Sequence, residues 1–217
     1  MEEKDLFLHI SKHLMEDEKP SIYFEKLKKQ NYFKNTALQC VAELEGIPQE
    51  PKYHPEGDVW THTMQVTDWA AKYRDLAHNK LEFMWGAFLH DIGKITTTIK
   101  RKGRWTSYNH DMVGSKMGEE ILIKLSNNRD FNKKVTMLIK HHMSYLYVAK
   151  NLPFGDIKEL VSSGDIHDIA LVTFCDRVGR GEMSIERKKE ILDDINNFVE
   201  EMERRGAKNI QKLNITF

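Results

Sequence analysis

Residues 83–94 read FMWGAFLHDIGK: seven apolar or small residues in succession, then a histidine and an aspartate side by side. Burying an imidazole and a carboxylate beside such a run costs free energy unless each finds a partner. At helical spacing Phe83, Ala87 and His90 share one stripe, and Asp91 sits one residue round, so both polar groups reach one point at the helix end. Gly86 and Ala87 allow a second helix to approach this one closely. The stretch therefore predicts a buried helix, over about 81–91, that ends either in a cap or in something the two groups hold together.

Working outward, the chain reads as a series of helices. They are predicted near 3–17, after Pro20, which suits a first turn, and over 35–46. The segment GIPQEPKYHPEGD, residues 46–58, holds three prolines and two glycines and cannot be regular structure. It is expected to be an ordered loop, with Ile47, Tyr53 and Trp60 giving it something to bury. Asp58 is a good N-cap for a helix to about Asn79. Further helices are predicted over 110–126, 130–150, 156–163, 165–178 and 183–205. Between them, TTTIKRKGRWTSY (96–108) alternates around Lys102–Gly103 and suits a β-hairpin. The expectation is an all-α bundle with room for one small hairpin. Its expected parts are an N-terminal helical cap (1–46) packed on the main body, the body itself (47–206) and a C-terminal tail (207–217). The last helix is charged and amphipathic, and packing on the bundle is favoured over a dimer face.

Composition excludes little but bounds much. The 217 residues suffice for a substantial core. With 33 basic and 33 acidic residues, no global field marks a nucleic-acid or membrane binder. Cys40 and Cys175 lie among apolar neighbours, as reduced thiols do. The acidic start, MEEKDLFLHI, has no long apolar segment, and no stretch reaches the roughly 18 apolar residues that cross a bilayer. A cytoplasmic protein without a membrane partner is expected; the oligomeric state is open.

The same helical spacing selects other inward polar residues. His62 lies on the stripe Val59, Val66, Trp69 and Tyr73; His110 on Val113, Met117 and Ile121; His142, rather than His141, on Val135, Leu138, Ile139 and Leu146. Asp176 ends a segment apolar all round. Singly, such a histidine is more often a hydrogen-bonded core residue than a ligand, and Asp176 is equally suited to pair with Arg177 or Arg180. His9 and His13, at i and i+4, sit on an exposed-looking helix without a nearby carboxylate; with His78 and His167 they read as structural or surface residues. Together, four inward histidines and two carboxylates on successive helices would be an expensive accident in a core. A divalent cation, one of Mn, Fe, Co, Ni, Zn or Mg, removes the expense. Without cysteine ligands the site is no closed structural zinc site. A His/Asp set leaves positions for water and substrate.

His62, His90–Asp91 and Asp176 follow the order of the HD superfamily of metal-dependent phosphohydrolases, which the chain resembles. The wording PQEPKYHPEGDVWTHTM, FLHDIGK, YNHDMVGSKMGEEIL, LIKHHM and CDRVGR is similar to the HD domain found C-terminal to the head of bacterial CCA-adding tRNA nucleotidyltransferases. The resemblance spans roughly residues 20–206 and implies one metal on those four residues; His110 and His142 match positions that bind a second. The Gly-Ser and paired aspartates of a polymerase head do not occur, so nucleotide addition is not implied.

The implied reaction is hydrolysis of a phosphomonoester or 2′,3′-cyclic phosphodiester of a nucleotide or RNA end. Asp91 is the natural bridge between ions, and Lys94, one turn on, is placed to neutralise developing charge. Arg177 and Arg180 suit bidentate phosphate contact or an ion pair with Asp176. His54 either donates to substrate or leaving group or fixes its loop. The basic hairpin, with Trp105, suits a lip gripping a nucleotide, or is a solvated turn. Two alternatives stand beside this: a non-catalytic nucleotide- or RNA-binding regulatory module, and a di-iron oxygenase on an HD-like fold.

Overall fold

The computed structural model describes residues 2–163, 165–208 and 210–217, and it is helical apart from one hairpin. In chain order the elements are α1 (Glu3–Glu16), α2 (Pro20–Lys29), α3 (Gln39–Ala42), α4 (Val59–Tyr73, continued by a 3₁₀ turn Arg74–Leu76), α5 (Lys80–Leu89) and α6 (Lys94–Thr97). Then follow β1 (Ile99–Arg101), β2 (Arg104–Thr106), α7 (His110–Leu125), α8 (Arg129–His141), α9 (Ser144–Ala149), α10 (Ile157–Ser163), α11 (Ile166–Val178) and α12 (Ile185–Arg204). The strands pair antiparallel, Lys100 opposite Trp105. The two linking residues have positive φ, Lys102 at 48° and Gly103 at 80°. That is the turn whose twist matches the strands it joins.

The run Phe83–Leu89 explains the layout. Every residue in it is buried, so α5 is the central helix and the others pack round it. Burying each large side chain contributes about 1.5–3 kcal/mol. A Cβ on Gly86 would lie 2.8 Å from Leu138 Cδ1, so α5 and α8 meet closely at that glycine. The N-terminal helices share this core: Phe7 stacks on Trp85 at 5.3 Å, and Trp85 Nε1 donates to Ser11 Oγ at 3.0 Å. Trp60 Nε1 donates to Glu25 from the other side. Helix α12 covers α11 with Ile191, Ile195, Phe198, Val199 and Met202. Leu213 and Ile215 of the tail are buried too, the former held by Asn196 through both backbone groups.

Several expectations are corrected. The helix predicted over 35–46 contracts to Gln39–Ala42, because Asn35 turns into the left-handed region (φ 59°) and the segment proceeds as turns that bury Leu38, Val41 and Leu44. The helix predicted over 130–150 breaks after His141. The His142 carbonyl accepts from Thr173 Oγ1 of α11 at 3.0 Å, outside the helical ladder. Tyr53 is 56% exposed and buries little. His13 does have a carboxylate, Asp17 Oδ2 at 2.9 Å. His141 is as buried as His142, its Nδ1 3.1 Å from Ser144 Oγ. Both cysteines are free thiols; Cys175 is buried and Cys40 half-buried. Among the described residues, no helix is long and apolar enough to cross a membrane.

Candidate metal centre

The six residues picked out along the sequence meet at one place, mostly at helix ends. His62 comes from the first turn of α4, started by the Asp58 cap, which accepts from Thr61 N at 2.9 Å. His90 is the C-cap of α5 and Asp91 follows it. His110 opens α7, whose preceding residue, Asn109, has φ 60°. His142 caps α8, and Asp176 lies in the last turn of α11. All six are at most 7% exposed. What draws α7 to the His-Asp pair is a contact between glycines. A Cβ on Gly93 would fall 2.1 Å from the His110 carbonyl oxygen and 2.6 Å from Gly114 N. Only hydrogens at 93 and 114 let the two backbones lie this close.

Three of the four imidazoles donate from Nδ1 to a backbone carbonyl, and all four turn Nε2 inward. His90 Nδ1 donates to Ala87 O at 2.8 Å, His110 Nδ1 to Ser107 O at 2.7 Å and His142 Nδ1 to Ile139 O at 2.7 Å. His62 Nδ1 lies 2.8 Å from Glu56 Oε1. With Nδ1 carrying the proton, a neutral imidazole presents a lone pair at Nε2. Yet Nε2 of His62 and His90 are 3.4 Å apart, and Nε2 of His110 and His142 are 3.2 Å apart. Two lone pairs facing each other at that distance need positive charge between them. This donor chemistry fits a divalent cation that prefers imidazole and carboxylate.

Asp91 sits between the two histidine pairs. Its Oδ2 is 3.3 Å from His90 Nε2 and 3.6 Å from His62 Nε2; its Oδ1 is 3.3 Å from His110 Nε2 and 3.9 Å from His142 Nε2. Asp176 Oδ1 completes the first set, 3.0 Å from His62 Nε2. Two groups of ligand atoms result, His62–His90–Asp176 and Asp91–His110–His142, each compact enough for an ion.

Electrostatics agree with the geometry. Burial opposes ionisation of Asp91 and Asp176, but cations win: Lys94 and the histidines hold Asp91, and Arg180 and His62 hold Asp176, well below the ordinary carboxylate range. Burial lowers His110 to about 4 and also lowers His142, disfavouring their protonated forms. His62 goes the other way. Burial works against its cationic form, but Asp176 and Glu56 on either side raise it.

Lys94 Nζ lies 2.7 Å from Asp91 Oδ2 and donates to Gln49 Oε1 at 2.7 Å. Arg180 contacts both Asp176 oxygens, at 3.0 and 2.7 Å. Arg177 instead lies over the Tyr145 ring, 5.1 Å from its centroid, and is not brought to the ligand set. His54 Nδ1 lies 2.9 Å from Glu56 Oε1, and its ring centre is 4.8 Å from that of His62. Burial lowers His54 to about 4, against the pull of Glu56. Sequence reasoning brings Glu56, with its loop, near the mouth of the site but misses its bridging role, and it misses Gln49 altogether. Glu56 bridges His54 and His62; Gln49 holds Lys94. Both come from the Pro-rich loop, where no periodicity says which way a side chain faces. The other histidines are satisfied elsewhere: His167 by the carbonyls of Leu76 and Gln211, His78 by Asp165.

Comparison with known proteins covers most of the chain. The model of the HD domain matches residues 59–198. The "Multifunctional CCA protein" of Pseudomonas fluorescens (strain SBW25) is 27% identical over 186 residues, covering 82% of this chain and 43% of that protein. The protein of the same description from Cupriavidus metallidurans is 29% identical, covering 82% and 38%. That from Methylobacillus flagellatus is 32% identical, covering 61% and 30%. The chain thus spans less than half the length of these curated relatives.

Proposed function

The chain belongs to the HD domain family of metal-dependent phosphohydrolases, and from that premise we propose that it hydrolyses a phosphomonoester or 2′,3′-cyclic phosphodiester of a nucleotide or RNA end. The observation that carries the reading is the facing of inward-turned Nε2 atoms, in two pairs 3.4 and 3.2 Å apart, across one anionic carboxylate, Asp91. His62, His90, Asp91 and Asp176 would hold one ion; His110 and His142, sharing Asp91, would hold a second. A divalent ion bound there lowers the pKa of water towards neutrality and polarises a phosphoryl oxygen.

The chain's own residues supply the rest. In the reaction a water oxygen forms a bond to phosphorus, the ester oxygen leaves with its electron pair, and the water's proton reaches that oxygen. Lys94 donates to Gln49 Oε1 and stands as a charge 2.7 Å from Asp91 Oδ2. That charge is offered to the phosphoryl group as it gains negative charge. Arg180 grips Asp176 from both oxygens and fixes its orientation, leaving phosphate contact a secondary role. Glu56 on His62 Nδ1 sets that ring's tautomer, the usual arrangement behind a metal-ligating histidine.

The hairpin supports a nucleotide substrate. It joins Lys94 to His110, and Thr98 Oγ1 and Ser107 Oγ, 2.7 Å apart, close its base. Between Asp91 and Asp111 there is no acidic residue, while Lys94, Lys100, Arg101, Lys102 and Arg104 are basic. Lys100 and Arg101 lie over Trp105 and Tyr108, so charge and stacking surfaces coincide. The decisive experiment is metal analysis of the purified protein with a phosphoester panel including 2′-, 3′- and cyclic 2′,3′-nucleotides. Turnover that stops with chelator, returns with Mn, Co, Ni or Mg and is absent in Asp91→Asn is expected. No hydrolysis in any metal form would end the reading, and oxygen consumption by an iron form would replace it.

A further inference from the structure

Beside the metal centre the protein has a second feature that the hydrolytic residues do not use. An open cleft of about 560 Å³ lies between the start of α7 and the loop joining α9 to α10. Its residues Asn109 and Asp111 flank the ligand His110 in the chain. Asp111 is 2% exposed. Tyr147 donates to its Oδ2 at 2.8 Å, but Oδ1 is buried without a hydrogen-bond partner. Buried carboxylate oxygens are ordinarily satisfied, so an exception in the wall of a cleft points to a donor that is not part of the chain.

The rest of the lining says what kind of donor. Phe154 and Met112 are 46% and 40% exposed, and both line the cleft with Pro153 and Tyr147. Phe154 and Tyr147 meet edge to face, with ring centres 5.8 Å apart. The loop is pressed onto Tyr147 at Gly155, where φ is 78° and a Cβ would sit 2.8 Å from the ring. The cleft, whose lining also includes Asn109, Asp156 and Lys158, thus combines an aromatic and apolar wall, a buried acceptor at Asp111 and the size of a small-molecule site. A flat, unsaturated ring carrying an N–H fits all three.

We propose that this cleft is a nucleobase subsite, in which Asp111 Oδ1 accepts from an exocyclic amine while Phe154 provides the stacking face. This deepens the nucleotide phosphohydrolase reading and rests on it for the term nucleotide. The acceptor selects among bases. Cytosine presents an amino group at the position where uracil presents a carbonyl oxygen. An oxygen facing the Asp111 carboxylate is repelled, and the base reverses the match only if residue 111 becomes a donor.

The test uses nucleosides, which carry no phosphate, so that it is independent of turnover. Binding of cytidine and of uridine to the full-length protein is measured by calorimetry, with melting temperatures confirming that each variant is folded. Cytidine should bind at least about tenfold tighter than uridine, as a hydrogen bond to a charged acceptor allows. Asp111→Asn, which offers an amide N–H₂ in the same shape, should abolish or invert that ratio. Phe154→Ala, on an exposed loop position, should weaken both nucleosides. Equal affinities, no binding of either, or an unchanged ratio in Asp111→Asn overturns the subsite. If the cytidine preference is found but no phosphoester is hydrolysed, the hydrolase reading falls and the base site stands.

Discussion

Replacing Gly93 by alanine perturbs the metal centre without touching a ligand. Gly93 has φ −66° and ψ −16°, a conformation open to any residue, so the whole effect is contact. The new methyl would lie 2.1 Å from His110 O, 2.6 Å from Gly114 N and 2.9 Å from Gly114 Cα. All three are backbone atoms, so no side-chain rotation relieves them. Restoring an ordinary separation of about 3.4 Å needs α7 to retreat by roughly 1.3 Å from His110 O alone. Overpacking of this kind destabilises by about 1–3 kcal/mol, or roughly 2–12 °C of melting temperature in a chain of this size. The retreat also carries His110 away from Asp91 Oδ1, now 3.3 Å from its Nε2, while His62, His90 and Asp176 stand on other elements. Metal analysis of Gly93→Ala should therefore show selective loss from the His110/His142 side, with denaturation giving the stability loss. A variant with wild-type stability and wild-type metal content would show that the glycine contact does not set this distance.

The remaining expectations concern charge. In chelator-treated protein, His110 is lowered by burial to about 4 against 6.5 unfolded, so its contribution is intact above pH 6.5 and is lost as pH falls towards 4. That amounts to roughly 3 kcal/mol, with His54 acting in the same direction. His62, raised, contributes fully below pH 6.5 and leaves this window unchanged. Urea unfolding at pH 7 and 4.5 measures the slope, and a flat profile contradicts it. Glu56→Gln should weaken metal binding about 10- to 100-fold, read by competition with a chromophoric chelator; unchanged affinity would make Glu56 a loop-fixing residue only. Replacing Arg101 and Lys102 by alanine should weaken oligonucleotide binding and flatten its salt dependence, whereas an unaltered slope would remove the hairpin from the interface.

The helices with a strong stripe were legible because period 3.6 is a local property. Asp58, Phe83–Leu89 and the stripes bearing His62, His110 and His142 announce themselves in a few residues of context. The segment 35–46 was not legible, since a positive φ at Asn35 and turns that still bury Leu38, Val41 and Leu44 mimic a helical pattern. The break after His141 depends on Thr173, thirty-one residues away from His142, capturing its carbonyl. Arg180, four residues after Asp176, has the helical spacing of an ion pair with it, whereas the seating of Arg177 over Tyr145 depends on packing between elements.

The sequence alone determined the helical class, the inward polar residues and their chemical kind, because amphipathic spacing and the cost of burying charge act along the chain. Which nitrogen each histidine turns inward, that Asp91 faces two pairs at once, and that Glu56 and Gln49 join them were decided only by the tertiary structure. Those features depend on distances between elements remote in the chain, down to the width of a missing methyl group at Gly93, and spacing in one dimension carries no record of them.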